Sequence, residues 1–149
     1  MIIDRSKNDV EQALSIIRQK VQKFQELAED ELDTLRRGCP TVETWNRIEN
    51  KTKELHLLIS SMLYSIGEIN TKNWTNENVF FAEDFERILS NIEKLKKGFF
   101  VYENTPQTPT PKLDYMVFND MEKILLDLEN YVADVVDKYK ICGLAVCGE

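Results

Sequence analysis

Little in this chain breaks a helix. Across 149 residues there are only five glycines and four prolines, and three of those prolines, Pro106, Pro109 and Pro111, crowd into one stretch. That scarcity argues against a turn-rich β-sandwich or barrel and for long helices. There is one histidine, His56, so a zinc site of the paired-histidine type cannot be built. There are three cysteines, Cys39, Cys142 and Cys147. An odd, small number is not a disulfide framework, and the expectation is a reducing compartment. No apolar run approaches the length needed to span a bilayer, because the richest stretch, residues 55–66, is interrupted by His56, Ser60, Ser61 and Ser65. The opening Met1-Ile2-Ile3-Asp4-Arg5 has no apolar signal-peptide core. The triplets Asn50-Lys51-Thr52 and Asn73-Trp74-Thr75 match the glycosylation pattern by chance on this reading. No glycine-rich phosphate loop or nucleophile elbow is present.

What the chain does have is acid. Lys and Arg number 19 against 26 Asp and Glu, for a formal charge of −7. An acidic chain with scattered cations is repelled by phosphate backbones and anionic lipid, so neither nucleic acid nor membrane is expected as a main partner.

The apolar residues recur at helical spacing. In residues 6–37, Val10, Leu14, Ile17, Val21, Phe24 and Ala28 alternate steps of four and three, a heptad seam. They predict one helix nearly 50 Å long at about 1.5 Å per residue. Gly38-Cys39-Pro40 closes it, and Thr41 can cap the next. The second helix is expected over 41–69, with a seam of Trp45, Ile48, Thr52, Leu55, Ile59, Met62, Ile66 and Ile69. The tight link should turn it back antiparallel to the first. A third helix is expected over 82–97 with Phe85, Ile88, Ile92 and Leu95. A Pro/Thr linker follows at 104–111. A fourth helix is expected over 117–139 with Met121, Ile124, Leu128, Tyr131 and Val135. The Gly-punctuated apolar tail, 141–149, reads as non-helical. The expected fold is all-α, an antiparallel helical hairpin or four-helix bundle in one domain.

The helices share a register. A shift of 36 places Asp84, Glu86, Ile88, Leu89 and Glu93 on Asp120, Glu122, Ile124, Leu125 and Glu129. A shift of 40 places Trp45, Arg47, Ile48 and Leu55 on Phe85, Arg87, Ile88 and Leu95. Repeats of this size denote one supersecondary unit reused. Trp45, Ile48, Phe85, Ile88, Met121 and Ile124 are the expected core anchors. The seam residues Val10, Leu14, Ile17, Val21 and Phe24, with Leu144 and Val146 of the tail, are the candidate inter-subunit interface. No catalytic, cofactor-binding or metal residue is assigned. The carboxylates Glu29, Asp30, Glu31 and Asp33 point around a helix rather than converging on an ion. Cys142 and Cys147 lack metal-site spacing.

Specific text also carries a resemblance. Thr44-Trp45-Asn46-Arg47-Ile48-Glu49-Asn50, then Trp74, then Phe81-Ala82-Glu83-Asp84-Phe85-Glu86-Arg87-Ile88 and Asn91-Ile92-Glu93-Lys94-Leu95, resemble small structural proteins of tailed bacteriophages and prophages of Gram-positive hosts. These carry repeats of the form W…F-x-A-x-D-[FW]-N-R-I-E-x-N-I-x-x-L. The ending Cys142-Gly143-Leu144-Ala145-Val146-Cys147-Gly148-Glu149 resembles a terminus found among them. The match spans about residues 40–131 and the tail, and leaves residues 6–37 unexplained. Glu86 stands where Asn is usual, Leu89 where Glu is usual, and Thr52 where Ile is usual. The resemblance implies a virion component of tail, baseplate or fibre, made in the host bacterial cytoplasm, whose partners are other virion subunits or further copies of itself. It carries over no catalytic residue. The alternative is a cytoplasmic helical adaptor or regulator that binds a partner protein.

Overall fold

The computed structural model describes the backbone of residues 1–146 and the side chains of residues 1–138. Five α-helices appear: α1 (Lys7–Gln19), α2 (Glu29–Gly38), α3 (Val42–Ser61), α4 (Ala82–Gly98) and α5 (Tyr115–Val146). Among the described residues there is no strand, and no helix is long and apolar enough to cross a membrane. The chain is all-α, but its layout differs from an antiparallel four-helix bundle.

The expected first helix is two helices. Ser6 and Asp9 cap the start of α1 reciprocally, Asp9 N–H donating to Ser6 Oγ at 3.3 Å and Ser6 N–H to Asp9 Oδ2 at 2.7 Å. After Gln19 the chain tightens into a 3₁₀ turn, Val21–Lys23. Phe24 then reverses it from the left-handed region at φ 54°. Helices α1 and α2 form a short antiparallel hairpin, bridged by Arg37–Asp9 at 3.0 Å near its base and Lys20–Glu31 at 2.7 Å near its tip. Gly38 meets α1 so closely that a Cβ there would lie 2.2 Å from the Asp9 carbonyl oxygen. Only glycine permits that approach. The reversal buries Ala13 completely and Val10, Ile16 and Ile17 in part. A straight helix would have left that face in water.

The second helix also stops early. Met62 caps α3, and Leu63 at φ 66° turns the chain into an extended path. Met62, Tyr64 and Ile66 are half-buried while Leu63, Ser65 and Gly67 are exposed. These residues follow a period of two, not of three and a half. Met62 and Ile66 satisfy both patterns, which is why the seam predicted helix as far as residue 69. At the other end of the chain, α5 continues through residues 141–146, which were expected to be non-helical. Extending an existing helix costs far less than starting one, so Gly143 does not stop it. Residues 147–149 of the tail lie outside the described residues.

Helices α3, α4 and α5 run in the same direction. Their N-terminal ends meet at Trp45, Phe85 and Phe118, whose ring centroids are 5.7, 5.2 and 6.0 Å apart pairwise. Further along, Lys51 of α3 bridges Glu129 of α5 at 2.7 Å, and Phe99, just past α4, meets Tyr131 of α5 at 5.7 Å. Parallel neighbours require the chain to travel back between them. Residues 62–81 return alongside α3 and α4, and residues 99–114 alongside α4 and α5. The Pro/Thr linker belongs to the second return. It is held by Lys96 Nζ on the Pro106 carbonyl at 2.7 Å and by the Thr105 hydroxyl on Asp127 at 2.8 Å.

The returning backbone has no ladder partner, so side chains supply one. Asn46 donates to the Trp74 carbonyl at 2.8 Å and accepts from the Trp74 N–H at 2.7 Å. Asn91 does the same for Asn70, at 2.8 and 3.4 Å. Asn119 does it for Arg5, at 2.9 and 3.0 Å, holding residues 1–5 along α5. Each amide imitates a peptide group and pins one extended residue by both its backbone atoms.

These clamps are testable by substitution. Asn46→Ala removes both partners of the Trp74 peptide and should lower unfolding free energy by about 2 kcal/mol. Asn50→Ala, at an exposed position on the same helix, should cost a few tenths. Urea denaturation of the two variants measures the contrast.

Candidate interaction surface

The six core anchors are buried: Trp45 and Phe85 at the helix starts, Met121 on α5, and Ile48, Ile88 and Ile124 behind them. Trp45 also stacks on Phe80 at 4.0 Å, so the first return packs into the same aromatic cluster. The candidate interface residues are scattered. Val10 and Ile17 are half-buried within the hairpin, while Leu14, Val21 and Phe24 are exposed. Leu144 and Val146 lie where only the backbone of α5 is described.

Buried carboxylates are the feature that sequence reasoning missed. Glu49 of α3 is buried and accepts from Arg87 Nη2 at 2.5 Å, Arg87 Nη1 at 3.1 Å and the Trp74 indole at 3.3 Å. Glu122 of α5 is fully buried between Arg5 Nη2 at 2.9 Å and Arg47 Nη2 at 2.6 Å, and also accepts from the Ile2 N–H. Each pair links two elements. Each carboxylate is saturated by donors, so these are joints rather than acid–base groups. The signal was present in Arg47-Ile48-Glu49, where acid and base flank a core isoleucine.

The remaining chemical candidates have ordinary settings. His56 Nε2 lies 3.3 Å from the Gly67 carbonyl. Glu29 and Asp33 both pair with Arg36, while hydrogen bonds from Lys20 and the Ala28 amide hold Glu31 below the usual carboxylate range. Among the described residues no group of three or more potential ligands could hold a metal ion. Burial pushes the half-buried Cys39 thiol up, which makes it less reactive.

Two positions stand apart. Phe24 and Leu63 are the most exposed large apolar residues described, at 98% and 95%. Among the described residues they are also the two non-glycine positions with positive φ. Left-handed backbone costs an L-residue about 1–2 kcal/mol, and helix ends that need it usually carry Gly or Asn. The turns themselves are well formed: Gln25 N–H reaches the Lys20 carbonyl at 3.0 Å, and Leu63 N–H reaches the Ser60 carbonyl at 3.1 Å. At both turns a large apolar side chain sits where it costs the fold and gains no packing. Such an outlier points toward function.

The surface also has a hollow. A cavity of about 430 Å³ lies between the base of the hairpin and the start of α5. Val10, Pro40, Leu113, Tyr115 and Phe118 line it, with Lys7 and Arg37 among its cations. Its size is in the range of pockets that accept a compact apolar group. No family model, curated protein or solved structure matches the chain.

Two outcomes follow. Phe24→Gly and Leu63→Gly should each raise thermal stability, by about 0.5–1 kcal/mol after allowing for the greater freedom of unfolded glycine. Calorimetry on the two variants checks this. Acid sensitivity should separate two residues that the internal register superposes. Burial opposes ionisation of Asp84, but Lys72 at 2.8 Å, the Phe81 amide and Arg87 outweigh it and hold its carboxyl below the ordinary 3.8. That stabilisation is present above pH 3.8 and is lost as the pH falls through the lower folded value. Burial instead pushes Asp120 above 3.8, so its ionised form weakens the fold at neutral pH. Asp84→Asn should therefore destabilise at pH 7 and match wild type in strong acid, whereas Asp120→Asn should stabilise at pH 7. Denaturation midpoints at several pH values measure both.

Proposed function

We propose that this chain is a non-catalytic structural subunit of a bacteriophage or prophage particle, associated with tail, baseplate or fibre. On this reading it is made in the host cytoplasm and resides in the virion, where it joins neighbouring subunits by helix packing. The observation that carries the reading is the pair of left-handed, fully exposed apolar residues, Phe24 and Leu63. A subunit whose isolated fold is strained to present two apolar side chains is suited to burying them in a neighbour. The repeat text around Trp45, Arg47, Ile48, Phe85, Arg87 and Ile88 supports it by resemblance. The heptad seam of residues 10–24, left open at Leu14, Val21 and Phe24, offers a face for coiled-coil-like contact with a neighbouring helix.

Mass spectrometry of purified particles from the source tests this. The expected result is the chain at a fixed copy number per particle, with Phe24→Gly/Leu63→Gly made and folded but not incorporated. Absence from particles, with a one-to-one cytoplasmic partner recovered instead, would replace this reading with that of a helical adaptor.

A further inference from the structure

We propose that α1 and α2 form an arm latched to the three-helix body by residues 1–5 at Asn119 and Glu122, and that undoing the latch swings the arm as one piece about Cys39 and Pro40. The device is independent of the particle role, which concerns only what the arm meets.

The arm holds itself together. Ala13 is fully buried inside it, and Gly38 closes on Asp9. Arg37 ties residues 1–5 to the same unit, reaching the Asp4 carboxylate, the Asp4 carbonyl and the Asp9 carboxylate, each at 3.0 Å. The arm's seat on the body is poor by contrast. The body's apolar core takes in Met1 but no residue from 6 to 38. Two hollows open where arm and body meet: the cavity of about 430 Å³ lined by Val10 and Phe118, and one of about 210 Å³ lined by Leu32, Leu35 and Val42. Packed interiors leave few gaps of that size, and two parts without a large apolar interface are free to move against each other unless something else holds them.

Polar contacts are what hold the arm. Asn119 of α5 grips both backbone atoms of Arg5, at 2.9 and 3.0 Å. Arg5 itself is buried, with Nη2 2.9 Å from Glu122 and its guanidinium carbon 5.9 Å from the Phe118 ring centroid. Residues 62–81 and 99–114 lie along the helices in the same extended way, but both ends of each continue into a body helix. Residues 1–5 continue into the arm, so their grip sets its direction. Beside the hinge, Arg36 also bridges Glu43 at 2.9 Å, but that pair is exposed and Arg36 keeps Glu29 and Asp33 without it. The latch can open because Arg47 stays on Glu122, 2.6 Å away, when Arg5 leaves, and no buried carboxylate is stranded. Cys39 is extended at φ −131° and ψ 143°, and the proline after it favours that conformation. The arm therefore turns mainly on the ψ angle of Pro40. It is a lever of 13 residues in α1, about 20 Å long, that re-aims Phe24.

Residual dipolar couplings of the backbone amides, measured on the full chain, provide the test. In wild type the arm and the body should fit one alignment tensor. Asn119→Ala and Arg5→Ala each undo one side of the latch. In both, the arm's couplings should fall to about half of the body's or less, while each part still fits its own structure. Arg36→Ala breaks the exposed bridge beside the hinge, leaves the latch intact, and should behave as wild type. Arg5→Ala alters no helix of the body and decides the matter if Asn119→Ala unfolds. The proposal is overturned if the arm fails to share the body's tensor in wild type, if the two still share one tensor in the latch variants, or if α1 and α2 come apart once the latch is undone. Release of the arm by Arg36→Ala would overturn it too, by placing the hold at the hinge. Each of these results stands whether or not the chain is found in particles.

Discussion

The structure depends on how the chain gets back. Three helices pointing the same way can share an apolar seam only if the polypeptide travels the length of the body between them, and extended backbone in a groove cannot leave its amides unpaired. Asn46, Asn91 and Asn119 supply the missing partners for Trp74, Asn70 and Arg5. Arg87 and Lys94 add bonds to the carbonyls of Asn70 and Glu68. The buried ion pairs Glu49–Arg87 and Glu122–Arg47 then tie neighbouring helices at matched heights. The register repeat thus marks a helix together with its extended return, which is why its period exceeds the length of any single helix segment within it.

Parallel packing has an electrostatic cost, because the dipoles of α3, α4 and α5 add where antiparallel ones would cancel. The sequence offsets it locally. Glu43 sits in the first turn of α3, and Glu83 and Asp84 in that of α4. Asp114 accepts from the Met116 amide at the start of α5. Lys96 and Lys97 close α4. These groups place acid at the three N-terminal ends and base at the C-terminal end of α4, and Asp84 serves three purposes at once, as cap, dipole partner and anchor for Lys72 on the first return.

The hairpin of α1 and α2 follows a different economy. It packs chiefly on itself, through Ala13 and the glycine contact at residue 38. It meets the three-helix body through residues 1–5 and the short link before Thr41. Its apolar seam is spent only partly in the fold, and what remains lies on the outside at Leu14, Val21 and Phe24.

The helical class, the anchors Trp45, Ile48, Phe85, Ile88, Met121 and Ile124, the bounds of α4 and the stop at Gly38 could all be read from the sequence, because spacing, capping and turn chemistry act within a few residues. The reversal at Phe24, the early end of α3 at Ser61 and the parallel sense of the body could not. A seam of Val10 to Ala28 suits one long helix as well as it suits a helix, a turn and a helix, and Met62 and Ile66 satisfy either helical or extended periodicity. The choice rests on distant partners: Ala13 needed α2, and Tyr64 needed Phe99, whose ring lies 4.9 Å away. Local pattern determines which face of a segment is apolar. Only the tertiary structure decides what that face meets and in which direction, because direction depends on contacts between residues tens of positions apart.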